Sequence, residues 1–123
     1  MDKKIIFLDL DGTLTNDEKK VTPLTQKALL EMQKAGHIVV LASGRPTPGI
    51  LPVAKAVELE KFGGYIMAFN GGKIINAKTN EVVFEQVLDR KYISPLLKYA
   101  KENDIGLITY DDKRIIVGTR MDK

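Results

Sequence analysis

Apolar positions first gather at residues 5–8 as Ile-Ile-Phe-Leu, a run that continues without alternation until Asp9 arrives. A continuous run predicts a central strand of a parallel sheet, covered on both faces. Gly12 and a polar loop follow, and then the period changes. Leu24, Ala28, Leu29 and Met32 recur at helical spacing behind Thr22-Pro23, where threonine can cap and proline has no amide hydrogen to leave unpaired. Gly36 stands where a left-handed C-terminal cap is wanted, so a helix is predicted over residues 23–35. Residues 37–42 return to a β-branched apolar run that ends in Ser43-Gly44-Arg45. A second helix is predicted between residues 49 and 62, its start stiffened by Pro46 and Pro48, with Pro52 unsuited to a helix interior. A third apolar run fills residues 65–69. Strands alternating with helices predict βαβ units in an α/β sheet.

After Asn70-Gly71-Gly72 the character of the chain changes. Residues 73–76 and 81–87 flank the turn-like Lys78-Thr79-Asn80 and predict a β-hairpin. Leu96, Leu97, Tyr99 and Ala100 then lie on a short helix over residues 94–103. Strands are predicted at residues 107–110 and 114–118 around the turn Asp111-Asp112-Lys113. The expected organisation is a βαβ core over residues 1–72, a linker or hairpin over 73–84, and the beginning of an α+β domain over 85–123. No internal repeat or low-complexity segment interrupts it.

Composition narrows the function classes. The 123 residues suffice for one average domain. Apolar residues at 44% with charged residues at 28% mark a globular chain with a core, which excludes disorder. Every apolar run is far shorter than the ~20 residues of a membrane-spanning helix. Met1-Asp2-Lys3-Lys4 passes straight into the first strand with no signal-peptide h-region, and cysteine is absent. A cytoplasmic location with no membrane partner is therefore expected. The net charge of +3 is spread along the chain, which suits small phosphorylated molecules and does not call for nucleic acid.

The chemistry concentrates where the strands end. Side chains alternate along a strand, so Asp9 and Asp11 project to the same side at the edge where open α/β sheets bind ligands. Two carboxylates there are costly unless a cation or a task holds them. An EF-hand calcium loop would need glycine where Leu14 stands, and would follow a helix. Ser43 and Gly44 offer a hydroxyl and an unobstructed amide to a phosphate, although Ser-Gly is also a common strand-to-helix turn. Arg45 would pair with a carboxylate, approach substrate or simply face water. Asn70 ends the third run, either beside the phosphate region or in a turn with positive φ. Gly72-Lys73 does not form a P-loop, because Met67 and Ile74 occupy positions that require glycine and Ser/Thr. His37, the one histidine, reads as a solvated strand-start residue without a role.

Asp9-x-Asp11-x-Thr13 after a buried strand, followed by Ser43-Gly44-Arg45 after the next, resembles the haloacid dehalogenase superfamily of phosphohydrolases. Asn70-Gly71 resembles the passage by which the Cof-type subfamily, which includes sugar-phosphate phosphatases, leaves its core for a large cap. The resemblance implies a Rossmann-like core followed by the beginning of an α+β cap, and a magnesium-dependent phosphatase acting on a small phosphorylated metabolite. It implies that Asp9 forms an aspartyl-phosphate and Asp11 serves as general acid and base. Mg2+ would be held by the Asp9 carboxylate and the Asp11 backbone carbonyl, and the phosphate by Thr13, Ser43, Gly44, Arg45 and Asn70. The family pattern also needs a phosphate-stabilising lysine and a later acidic metal motif beyond the cap. The expectation is therefore an N-terminal fragment, inactive alone and self-associating through exposed sheet edges. Phosphomannomutase-like transfer and a noncatalytic metal- or phosphate-binding module are the alternatives.

Overall fold

A computed structural model of the chain describes residues 2–110 and 115–118. They divide into two units, Met1–Gln86 and Val87–Lys123. In the first unit β1 (Ile5–Asp9), β2 (Ile38–Ala42) and β3 (Tyr65–Ala68) run parallel in that order. Helix α1 (Pro23–Lys34) joins β1 to β2, while α2 (Thr47–Ala56) and α3 (Leu59–Phe62) join β2 to β3. The hairpin of β4 (Lys73–Asn76) and β5 (Val82–Glu85) is added antiparallel to β3, giving one five-stranded sheet in the order β1-β2-β3-β4-β5. The hairpin expected to lead out of the core thus extends its sheet, with Ala68 opposite Lys73, and the division between units falls after Gln86.

One face of this sheet makes the core. Leu8, Val39, Leu41, Ile66 and Ala68 pack with Leu29 of α1, Ile50, Val53 and Ala54 of α2, and Val57 and Leu59. The register sets Phe7 beside Val40 and Tyr65, and Asp9 beside Ala42, Met67 and Ile74, so these residues share the opposite face. There Ile5 is 57% and Phe7 62% exposed. Among the described residues β1 pairs with β2 alone. The expectation of a central strand covered on both faces is therefore not met: β1 is an edge strand of the five-stranded sheet of the first unit, and Ile5 and Phe7 leave its outer face exposed.

Two glutamines decide how α1 meets α2. Leu24 and Ala28, read as part of the apolar face, are exposed, and the buried side of α1 runs through Leu29 and Gln33. Gln26 Nε2 donates to the Ala56 carbonyl at 2.6 Å and Gln33 Nε2 to the Val57 carbonyl at 2.8 Å. These carbonyls lie where α2 stops, since Glu58 adopts a left-handed φ of 52°. The helix predicted over residues 49–62 is consequently two helices, and the glutamines supply donors to its orphaned carbonyls. Pro52 lies inside α2, contrary to expectation. Its missing amide hydrogen faces the Pro48 carbonyl of the first turn, and both prolines are exposed, so water can meet that carbonyl. Thr22 does not cap the backbone of α1; its hydroxyl donates to that of Thr25 at 3.1 Å. Gly36 does take the left-handed conformation, at φ 99°, as His37 N–H closes back on the Met32 carbonyl. His37 Nδ1 then accepts from the Lys4 amide at 3.1 Å, which makes it a strand-start acceptor for β1.

In the second unit a single 3-10 turn at Arg90–Tyr92 leads into α4 (Ile93–Glu102). The Asp89 carboxylate accepts from the Lys91 amide at 2.9 Å and fixes that entry. β6 (Ile108–Tyr110) and β7 (Ile115–Val117) form an antiparallel pair with Ile108 opposite Val117. The turn predicted at Asp111-Asp112-Lys113 lies outside the described residues. Of the apolar positions read on this helix, Leu97 and Ala100 turn inward while Leu96 and Tyr99 are exposed.

Among the glycines of the described residues, Gly64, at the entry to β3, has the least room for a side chain. A Cβ there would fall onto the Val39 carbonyl oxygen and lie 2.5 Å from Leu59 Cδ1. Gly64→Ala must push β2 or α3 aside, and is predicted to cost about 3 kcal/mol, the upper end for overpacking. Chemical denaturation of the two proteins measures this. A loss below about 0.5 kcal/mol, the usual range for a neutral substitution, would show that the contact is not rigid.

Candidate active site

The parallel register brings three loops to one edge. Asp9 pairs with Ala42 and Ala42 with Met67, so the chain leaves β1, β2 and β3 from the same side of the sheet. After β1 the main chain folds back sharply: Thr13 N–H donates to the Leu10 carbonyl at 3.1 Å and Leu14 N–H to that of Asp9 at 3.0 Å. The Thr15 amide and hydroxyl both donate to the Leu10 carbonyl, at 2.9 and 3.0 Å. Leu10 and Leu14 are buried in the core, whereas Asp9, Asp11 and Thr13 between and beside them are exposed. Alternate residues thus anchor the loop and present its polar groups. Thr13 Oγ1 lies 3.4 Å from Asp9 Oδ2, a long hydrogen bond.

The loops after β2 and β3 are tied together through their backbones. Ser43 N–H donates to the Met67 carbonyl, Asn70 N–H to that of Ser43 and Phe69 N–H to that of Arg45, each at 3.0 Å. Ser43 is only 8% exposed, and its Oγ accepts from the Arg45 amide at 3.0 Å. Phe69 and Asn70 both hold positive φ, 52° and 55°, a costly conformation for residues with a Cβ. Asn70 therefore occupies the positive-φ turn that was one of its two readings. Its amide also lies where a Cβ on Gly44 would meet Oδ1 at 3.0 Å. Glycine at 44 leaves that space open.

Asp11 is held between two cations. Arg45 Nε donates to Oδ2 at 3.0 Å, and its terminal nitrogen to Oδ1, so the pair is bidentate. The third guanidinium nitrogen donates to the Gly49 carbonyl at 2.9 Å, which ties Arg45 to the first turn of α2. Lys19 Nζ stands 3.5 Å from Asp11 Oδ1. The Arg45 hydrogen bonds, opposed by some desolvation and aided by the charges of Arg45 and Lys19, hold the Asp11 carboxyl below its ordinary value of 3.8. The same hydrogen bonds raise Arg45 above its ordinary value. The structure thus joins Asp11 to Arg45, Asp9 to Thr13, and Ser43 and Gly44 to Asn70. Sequence reasoning did not single out Lys19. The available signal was Asn16 at the head of a polar stretch, where asparagine commonly closes a turn on its own side chain.

To a dication this edge offers hard oxygen donors, the Asp9 carboxylate and the Asp11 main-chain carbonyl. The Asp11 carboxylate is already committed to Arg45. Among the described residues no group of three or more His, Cys, Asp and Glu side chains gathers around a common point. A shallow groove lined by Lys55, Glu58, Glu60, Lys61 and Lys78 lies at the far end of α2, away from these aspartates.

Comparison with known proteins agrees with this geometry. Residues 6–123 match the family model described as haloacid dehalogenase-like hydrolase. A crystal structure of a haloacid dehalogenase-like hydrolase from Bacteroides thetaiotaomicron superposes with a TM-score of 0.91 at 40% identity, covering 98% of this chain and 46% of that one. YxeH of Bacillus subtilis, whose name assigns it provisionally as a phosphatase, is 32% identical over 95% of this chain and 43% of its own length. YcsE of the same organism, named as 5-amino-6-(5-phospho-D-ribitylamino)uracil phosphatase, is 33% identical over 67% of this chain and 32% of its own length. The chain thus spans less than half the length of each of these relatives. With the family's aspartate loop at the end of β1 and the match running from β1 to the last residue, this chain belongs to the haloacid dehalogenase-like hydrolases, in their Cof-type branch.

Proposed function

We propose that these residues carry the nucleophile and phosphate-binding half of a magnesium-dependent phosphatase that hydrolyses small phosphorylated metabolites. The observation that carries the reading is the convergence of Asp9, Asp11, Ser43 and Asn70 on the C-terminal edge of three adjacent parallel strands. The phosphatase names borne by relatives over most of this chain support the same reaction class. Family membership supports the metal, and the exposed Asp9 carboxylate with the neighbouring Asp11 carbonyl fits an ion that keeps several of its waters. When bound, Mg2+ would neutralise charge on the phosphate and on Asp9.

In this reading an Asp9 oxygen attacks phosphorus, and the P–O bond to the leaving group breaks as the Asp9–phosphorus bond forms. For the first step Asp11 must take up a proton from solvent against its pairing with Arg45 and pass it to the leaving oxygen; it then takes a proton from the water that attacks the aspartyl-phosphate, and phosphate is released. Ser43 Oγ–H and the Gly44 amide hold the phosphate oxygens, and the Asn70 amide closes that side. Pairing with Arg45 favours the ionised form of Asp11, which is the form needed for the second step. Because the relatives are more than twice as long, we place turnover in a protein of their length. The 123 residues alone are expected to show little or none and to self-associate along the exposed β1 edge and its apolar face. Losing one well-placed electrostatic donor can cost about 100- to 1,000-fold.

Magnesium-dependent phosphate release from a generic ester tests this, measured on a protein of the relatives' length containing these residues and on the 123 residues alone. The long protein should turn over, its Asp9→Asn variant should lose steady-state release while remaining folded, and the short chain should be slower by at least about 100-fold. Normal turnover by Asp9→Asn would remove the nucleophile assignment. Binding without release would leave a noncatalytic module, and phosphate passed to a sugar phosphate instead of water would leave a mutase. A second expectation concerns pH. A carboxyl held below its ordinary value stabilises the fold above 3.8, and this contribution is lost as pH falls through the lower folded value. Carboxyl-carbon NMR should place the Asp11 midpoint below 3.8 and Arg45→Met should return it toward that value. An unchanged midpoint would show that Arg45 does not set it.

A further inference from the structure

Lys19 is positioned with more care than a surface lysine needs. Asn16 closes the loop that bears it: Asn16 Oδ1 accepts from the amides of Glu18 at 3.0 Å and Lys20 at 3.1 Å. The Asn16 amide donates to the Lys20 carbonyl at 2.9 Å, and the Lys19 amide to the Asn16 carbonyl at 2.8 Å. Within this closed turn Lys19 holds φ at 62°, the left-handed region that a residue with a Cβ enters at a cost. The result is an ammonium delivered to within 3.5 Å of Asp11 Oδ1.

The two cations on Asp11 are unequal. Arg45 is bidentate, is tied by its remaining nitrogen to the Gly49 carbonyl, and has a side chain only 21% exposed. Lys19 makes one longer contact from a side chain that is 70% exposed. An exposed pair of this kind contributes little, so the ammonium can be drawn to a better-placed anion at small cost. Arg45 fixes Asp11, and Lys19 remains exchangeable. In the proposed reaction Asp11 meets the leaving-group oxygen, which puts Lys19 beside the leaving group instead of the transferred phosphate.

We propose that Lys19 is a specificity-determining residue that selects phosphate esters whose leaving group carries a second anionic group, a carboxylate or another phosphate, close to the ester oxygen. This rests on the phosphatase reading of the same site and adds the substrate class. On arrival such a group takes the Lys19 ammonium from Asp11, and Arg45 alone continues to hold the carboxylate in place. An ester with a plain alkyl leaving group leaves Lys19 on Asp11 and gains nothing from it.

Binding measured by amide and side-chain NMR in the presence of magnesium chloride tests this on the chain as it stands, with 2-phosphoglycolate as the dianionic-plus-carboxylate probe and ethyl phosphate as the plain one. The wild-type chain should bind 2-phosphoglycolate about fivefold more tightly, which is the ~1 kcal/mol upper end for an exposed ion pair. Lys19→Met should bring that ratio near one, and Lys19→Arg should restore most of it. Asn16→Ala, which opens the turn without removing the charge, should lower the ratio part-way. A ratio unchanged in Lys19→Met, or a wild-type ratio of one, overturns the assignment of Lys19. Ser43→Ala separates the two readings, because it should weaken both esters together. If neither ester binds the wild type, the assignment of Lys19 is overturned, and if both bind but Ser43→Ala weakens neither, the reading of these residues as the phosphate-binding half falls as well.

Discussion

The candidate site depends on one piece of register, the pairing of Asp9 with Ala42 and of Ala42 with Met67. Parallel strands in step end together, so the three loops that follow them start from one edge. Backbone hydrogen bonds then fasten the second and third loops to each other, Ser43 to Met67 and Asn70 to Ser43. Leu10 and Leu14 fasten the first by burying themselves on either side of Asp11. A slip of one residue in β1 would send Leu10 into water and Asp9 toward the core, and every later feature of the site would be lost.

On that frame the electrostatics are local and graded. Asp11 is ionised and oriented by Arg45, whose own orientation comes from the Gly49 carbonyl at the start of α2. Pro46 and Pro48 flank Thr47 at the entry to that helix, where proline has no amide hydrogen to leave unpaired. The Asp9 carboxylate, by contrast, makes only the long Thr13 contact among the described residues and stays exposed, as its proposed roles of nucleophile and metal ligand require. Two carboxylates two residues apart are thus given different surroundings, which is how a pair of identical groups comes to divide two tasks.

Much of this was legible in the residues. Continuous apolar runs marked β1, β2 and β3, and Gly36 marked the end of α1, because burial and left-handed turns constrain residue type directly. The aspartate loop announced itself because paired carboxylates at a strand end have few structural uses. The failures share a cause in tertiary contact. Gln26 and Gln33 are polar by type, yet they line the inner face of α1 because the last carbonyls of α2 need donors. Pro52 is tolerated since the carbonyl it abandons lies in the exposed first turn. The second helix divides at Glu58 through a left-handed residue that no glycine advertised. Lys19 was invisible because its importance lies in a loop geometry that brings it across to Asp11.

The central claim is that Asp9 is the atom-transferring residue of this edge. It is tested most directly on a protein of the relatives' length by acid quenching during turnover, followed by borohydride reduction, which converts an acyl phosphate to homoserine. Peptide mass analysis should find homoserine at position 9 only when ester and magnesium are both present. Continued turnover with an intact aspartate at position 9, or homoserine formed at Asp11 instead, would contradict the account.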